Sequence, residues 1–178
     1  SSDVCSSDLM EERDVATADL PGHFLQTDVP KDERIALKIT GVLALMLVDL
    51  DPAKWKKHLR KEKGTPVIYV LCSKAIYGTL TAALLAYKKL IGYLREWGFE
   101  MNEYEPCCWN KEVNGSQMTI AFHVDDLKLP HKDPGVATEY IEKFARLYGK
   151  VKPLKAHRGK VHEYLGLAID FRTKGEVW

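Results

Sequence analysis

No apolar run in this sequence approaches the roughly 20 residues needed to span a bilayer. The nearest, Val42 to Leu50, is too short and ends in Asp49 and Asp51. A basic, apolar, small-residue leader is also absent, which argues against secretion. Cysteine is scarce: Cys5, Cys72, Cys107 and Cys108 make no metal spacing, and the adjacent pair cannot form a Cys-x-x-Cys knuckle. Reduced thiols in an intracellular protein are therefore expected. Nor is there an excess of one charge. The net charge is +1, so affinity for a polyanion cannot be global and has to come from local runs such as Lys54-Trp55-Lys56-Lys57-His58-Leu59-Arg60-Lys61. A solvated helix face and a nucleic-acid contact account for that run equally well. What the chain does have is 46% hydrophobic and 29% charged residues in 178, enough for a folded core of one domain or a piece of a larger one.

The most informative stretch is Gln117-Met118-Thr119-Ile120-Ala121-Phe122-His123-Val124-Asp125-Asp126-Leu127-Lys128. A hydrophobic strand runs into two adjacent carboxylates and then turns apolar again. Upstream, Asn114-Gly115 between two strand-like runs is a strong hairpin signal. Neighbouring residues of a strand point to opposite faces, but a tight turn lets both acids reach one point. Their repulsion disfavours that arrangement unless a cation lies between them. Two solvated turn acids is the simpler account of an isolated pair. A third acid, Asp19, also ends a short β-compatible run and is followed by the turn Pro21-Gly22.

Around these motifs the periodicity predicts an α+β fold. Ile35 to Ile39 and Val67 to Leu71 read as strands, and 41–50 and 52–61 as short helices broken before Pro52. Residues 79–97 form the longest helix, capped by Thr79 or Thr81, with Leu80, Leu84, Tyr87, Leu90, Ile91 and Leu94 on one face and Gly98 as the stop. After the hairpin come a loop (131–135), a helix (136–148) with Tyr140, Ile141, Phe144 and Leu147 on one side, and strands at 151–154, 161–171 and 177–178 that close the sheet. An antiparallel sheet with helices on one face is the expected plan. His131, His157 and His162 show no metal spacing. Residues 1–12, opening Ser-Ser-Asp-Val-Cys-Ser-Ser-Asp-Leu, read as a tail foreign to the domain.

Asp14-Val15-Ala16-Thr17-Ala18-Asp19-Leu20-Pro21-Gly22-His23-Phe24 together with Phe122-His123-Val124-Asp125-Asp126 resembles the two acidic motifs of reverse transcriptases, and the copia-type long-terminal-repeat retrotransposon enzymes most of all. Lys74-Ala75-Ile76-Tyr77-Gly78 is similar to that family's Lys-Ala-Leu-Tyr-Gly segment. Trp97-Gly98-Phe99 with Glu105-Pro106-Cys107 resembles its Gly-Phe…Asp-Pro-Cys link, and Tyr164-Leu165-Gly166 its Phe-Leu-Gly segment. The blocks fall in family order from about residue 13 onward. The resemblance implies a partial reverse-transcriptase domain over 13–178, with palm at 13–28 and 71–178 and a remainder of the fingers at 29–70.

The resemblance further implies an RNA-directed DNA polymerase that joins a primer 3′-hydroxyl to a deoxynucleotide with two Mg²⁺ ions (Mn²⁺ as substitute) about 4 Å apart. Asp19, Asp125 and Asp126 would be the catalytic and metal-holding acids, with the Leu20 carbonyl as a further ligand. Phe24, Gly78, His123 and Val124 would line the substrate. Phe24 would exclude a 2′-hydroxyl, although a core aromatic is a strong competing account of it. The implied partners are an RNA or DNA template with primer, deoxynucleotides, and the rest of a polyprotein with integrase and RNase H, in a cytoplasmic particle or the nucleus, with no membrane. A non-catalytic retroelement remnant and another two-metal palm enzyme such as a nucleotide cyclase are the alternatives. The chain opens only about ten residues before Asp19, counted from the end of the suspect Ser-Ser-Asp stretch. Poor extension is therefore expected without upstream fingers of roughly 80–100 residues.

Overall fold

A computed structural model of the chain describes residues 8–173. Its framework is a six-stranded antiparallel sheet made of β1 (Asp14–Asp19), β5 (Glu100–Met101), β6 (Cys108–Val113), β7 (Ser116–His123), β8 (Asp126–His131) and β9 (Lys155–Arg158). The spatial order is β5-β6-β7-β8-β1-β9, so the first strand of the chain is inserted beside β8. A separate three-stranded sheet joins β2 (Ala36–Thr40), β4 (Thr65–Leu71) and β3 (Arg60–Glu62), with β4 in the middle. The hairpin of β10 (Val161–Tyr164) and β11 (Leu167–Asp170) forms a sheet of its own.

Two helices cover one face of the large sheet. Helix α3 (Leu80–Glu96) begins where the Thr79 side chain accepts the Ala82 N–H at 3.2 Å and ends before Gly98, which has the left-handed φ of 78°. Helix α4 (Pro134–Tyr148) starts at Asp133, whose side chain caps the Gly135 N–H at 2.8 Å, with proline in the first turn. Their apolar faces meet alternate residues of the strands. Ala16 and Ala18, Trp109, Met118, Ile120 and Phe122, and Leu127 and Leu129 share one core with Leu90, Leu94, Tyr140, Phe144 and Tyr148. That core is the period-2 face of each strand, and it leaves the alternate residues to form a polar face. In the first half of α3, Ala82 and Ala86 are buried while Leu80 and Leu84 are exposed. Small side chains there admit Phe24 and Ala75 as a second cluster.

Several expectations are corrected. The helix anticipated over 52–61 is a single turn, α2 (Pro52–Trp55), then a 3₁₀ turn at Lys56–His58 and strand β3. Pairing of Arg60–Glu62 with Thr65–Val67 outcompetes helix extension there. Residues 151–154 are not a strand, and β9 starts at Lys155. The single strand anticipated at 161–171 is a hairpin, because Leu165 and Gly166 take φ of 55° and 73°. The strand anticipated at 177–178 lies outside the described residues.

The expected tail is corrected for residues 8–12; residues 1–7 lie outside the described residues. Asp8–Met10 form a helical turn, and the Asp8 carboxylate lies buried on the polar face, 2.5 Å from Lys128 Nζ and 3.5 Å from the Arg13 guanidinium. Burial outweighs both cations and holds the Asp8 carboxyl above its usual range. The buried ammonium and guanidinium call for a counter-charge, and Asp8 supplies it. Helix α1 (Val42–Leu50) leaves Val42, Leu43, Leu45, Met46 and Leu50 exposed and buries only Ala44. Among the described residues no helix is long and apolar enough to cross a membrane.

Candidate active site

Two of the three acids lie on adjacent strands of the large sheet, and the third lies in the turn that leads into the second strand. Asp19 ends β1 directly opposite Asp126, the first residue of β8, and Asp126 stands in turn opposite His123 at the end of β7. Lys155 of β9 pairs with Asp19 on the other side. Cross-strand partners share a face, so Lys155, Asp19, Asp126 and His123 form one row across four strands on the face away from α3 and α4. Asp125 occupies the two-residue turn between β7 and β8, and its backbone carbonyl accepts the Leu20 N–H at 2.8 Å. That bond fastens the first acidic motif to the second one beyond the end of the paired strands.

Val124, the other turn residue, has φ of 57°. A β-branched residue in the left-handed region costs about 1–3 kcal/mol, and such strain persists where surrounding structure imposes it. Here the β7–β8 pairing and the Leu20–Asp125 bond impose it.

Asp125 is held by a residue that sequence reasoning left without a role. The Tyr77 hydroxyl donates to Asp125 Oδ2 at 3.3 Å, and its ring lies 4.2 Å from that of Phe24. Phe24 is buried among Ala75, Ala82 and Ala86, so the ring exposed to solvent at this point is that of Tyr77. The signal was the Tyr-Gly pair before α3. Gly78 has φ of 91°, and a Cβ there would meet nothing within 4 Å, so the backbone turn, not close approach of a neighbour, calls for glycine. His23 is buried, with Nε2 3.1 Å from the Ala86 carbonyl, and burial lowers its pKa. The Leu20 carbonyl accepts the His23 N–H at 3.3 Å, and the Leu20 side chain belongs to the core.

A cleft of about 340 Å³ opens beside the row, lined by Asp19, Asp126, Lys155, His157, Glu163 and Tyr164 among others. A larger one, about 740 Å³, lies at the β5 edge and holds none of the sequence-predicted site residues. Charge crowding marks the row. The Asp126 carboxyl sits above the ordinary carboxylate range, raised first by burial and then by Asp125 and Asp19, while His123 acts in the opposite sense. An acid whose pKa is raised by folding binds its proton more readily in the native chain. It therefore favours the fold below that raised value, and its ionisation costs stability as pH rises through it. Asp126→Asn is expected to raise the melting temperature near neutral pH and to change it little at about pH 3, where the carboxyl is protonated folded or unfolded. Melting curves at both pH values check this; an equal gain at both would remove charge as its cause.

The donor set suits a hard divalent cation, because carboxylate oxygens are what Mg²⁺ and Mn²⁺ take. As the side chains stand, no group of three or more His, Cys, Asp or Glu among the described residues could hold a metal ion. Asp125 is turned to Tyr77 instead. Cys72, Cys107 and Cys108 are free, and burial raises the thiols of Cys107 and Cys108. Three further histidines have hydrogen-bonding partners in the protein. His131 contacts the Asp133 and Val113 carbonyls, His162 lies between Thr17 and the Gly159 carbonyl, and His157 is 2.8 Å from the Val161 carbonyl. No family model matches the chain, and no curated protein matches it.

Proposed function

We propose that the chain carries the palm of an RNA-directed DNA polymerase similar to those of copia-type retrotransposons. The observation that supports this best is the junction of two distant acidic motifs. Asp19 and Asp126 are cross-strand partners, and the Leu20 N–H is bonded to the Asp125 carbonyl. An antiparallel sheet with helices on one face suits the same reading.

In this reading Asp19 and Asp125 would hold two Mg²⁺ ions, with Asp126 supporting them from the neighbouring strand. Bound there, the cations would supply Lewis-acid charge neutralisation for transfer to the primer 3′-hydroxyl. The chain's own residues orient the reactants. Tyr77, resting on Phe24, forms the wall beside Asp125 and steadies that carboxylate through its hydroxyl. Such outer hydrogen bonds fix the orientation of a ligating acid. Gly78 lets the chain turn there before α3. His123 and Val124 present the hairpin turn to the primer end.

The test is a Mn²⁺ titration followed by paramagnetic resonance, paired with extension of oligo(dT) on poly(rA). Cation binding and template-dependent incorporation should both fall in Asp19→Asn and Asp125→Asn. Mn²⁺ binding that is indifferent to both substitutions would overturn the reading.

A further inference from the structure

We propose that the basic tip of the three-stranded sheet is a nucleic-acid contact in its own right, binding a strand through its phosphates without regard to sequence. It rests on the polymerase reading only for the strand's being that enzyme's template or primer. Between residues 54 and 63 lie six basic side chains, Lys54, Lys56, Lys57, Arg60, Lys61 and Lys63, against one acid, in a chain of net charge +1. All six are exposed. The acid, Glu62, is engaged elsewhere: it lies 2.6 Å from Lys38 Nζ and accepts the Tyr69 hydroxyl at 2.7 Å. Among the described residues none of the six makes an ion pair, whereas Lys38, Lys74, Lys128, Lys143 and Arg158 all do.

The scaffold under these charges is ordered by its own bonds. Asp51 caps α2 through the Lys54 N–H at 3.1 Å, and the 3₁₀ turn carries the chain into β3. Arg60 donates to the Lys57 and Leu59 carbonyls at 3.0 and 3.1 Å, which fixes its guanidinium against the turn. Lys63 and Gly64, with φ of 48° and 83°, close a two-residue turn between Glu62 and Thr65. Cations held on α2, the 3₁₀ turn and the short hairpin that follows give a dense positive field that costs little ordering on binding. Half-buried Trp55 lies among them, 4.8 Å from Lys54 Nζ and 6.4 Å from the His58 ring. An aromatic ring among cations suits a single strand, whose bases stack while its phosphates are neutralised.

A strand is favoured over a membrane surface. Interfacial binding uses one amphipathic helix with basic residues beside its apolar face. Here the apolar α1 carries no basic residue, its last turn holds Asp49, and Asp51 follows it before the run.

Fluorescence anisotropy of labelled oligo(dT) with the full chain tests the proposal. Lys56→Glu/Lys57→Glu/Lys61→Glu should weaken binding about tenfold or more and reduce the slope of log K against log salt by roughly 2, as loss of three phosphate contacts requires. Lys56→Gln/Lys57→Gln/Lys61→Gln, with circular dichroism to confirm the fold, should lie between it and the parent chain. Parent-like affinity in the charge-reversed chain would overturn the proposal and leave the polymerase reading standing. Intact, tip-dependent binding without acid-dependent incorporation would sink the polymerase reading instead. Capture by phosphatidylserine vesicles with no affinity for oligo(dT) would replace the strand with a membrane.

Discussion

In the chain joined to an upstream fingers segment, which restores extension, Asp125→Asn is expected to reduce incorporation on a primed template by at least about a thousandfold while leaving the fold and strand binding intact. Charge stabilisation by a bound divalent ion contributes several kcal/mol to the transition state of phosphoryl transfer. At about 1.4 kcal/mol per factor of ten, that is roughly three decades. Asparagine preserves the shape and an acceptor for Tyr77, so the loss would fall on the cation and not on the hairpin. The effect should appear as a lower kcat with little change in KM for the template-primer, the mark of an interaction made in the transition state. Asp19→Asn should behave alike and should relieve repulsion with the cross-strand Asp126, raising thermal stability in the cation-free protein. Loss of activity with a lowered melting point would point to a structural role for Asp19.

Lys128→Met should destabilise the chain by about 3–5 kcal/mol, the cost of removing one partner from a buried pair. Lys128 and Asp8 are both almost wholly buried, 2.5 Å apart. Without the ammonium, Asp8 keeps, as a cationic partner among the described residues, only the longer contact to Arg13, which is also engaged by Glu11 at 2.9 Å. Because burial already raises the Asp8 carboxyl, the acid would take up a proton and not remain charged. Asp8→Leu/Lys128→Met should recover most of the loss, since apolar replacements of a buried pair are commonly neutral or stabilising. Urea melts of the two single variants and the double variant measure the coupling. Additive losses would show that the pair contributes nothing as a pair.

Local signals carried far in this chain. Asn114-Gly115 marked its hairpin because both residues accept left-handed angles, and they have φ of 52° and 72°. The bounds of α3 followed from Thr79 and Gly98. Placement of β1 beside β8 was not legible, because nothing in residues 14–19 encodes their partner. The hairpin at 161–170 was not legible, since Leu165 at φ 55° lacks the side chain that usually signals such a turn. Tyr77 escaped notice because its role rests on a hydrogen bond to a residue 48 positions away. Asp8 did so because a polar, repetitive segment does not announce that it neutralises a buried lysine.

The alternation of β7 has a consequence for how this chain tolerates insertions and deletions. One face of the strand supplies Met118, Ile120 and Phe122 to the core, and the other carries Thr119, Ala121 and His123 on the side of the acid row. Loss or gain of a single residue within Ser116–His123 would exchange the two sets. Thr119 and His123 would then enter the apolar layer, and the Asp125–Asp126 turn would shift by a residue against Asp19. Length changes in this strand should therefore be confined to pairs of residues, whereas the turns at Lys63-Gly64 and Gly159 can take single ones. Reading frame and register make the same demand here: the carboxylates can be replaced one at a time, but they cannot be moved without unmaking the core.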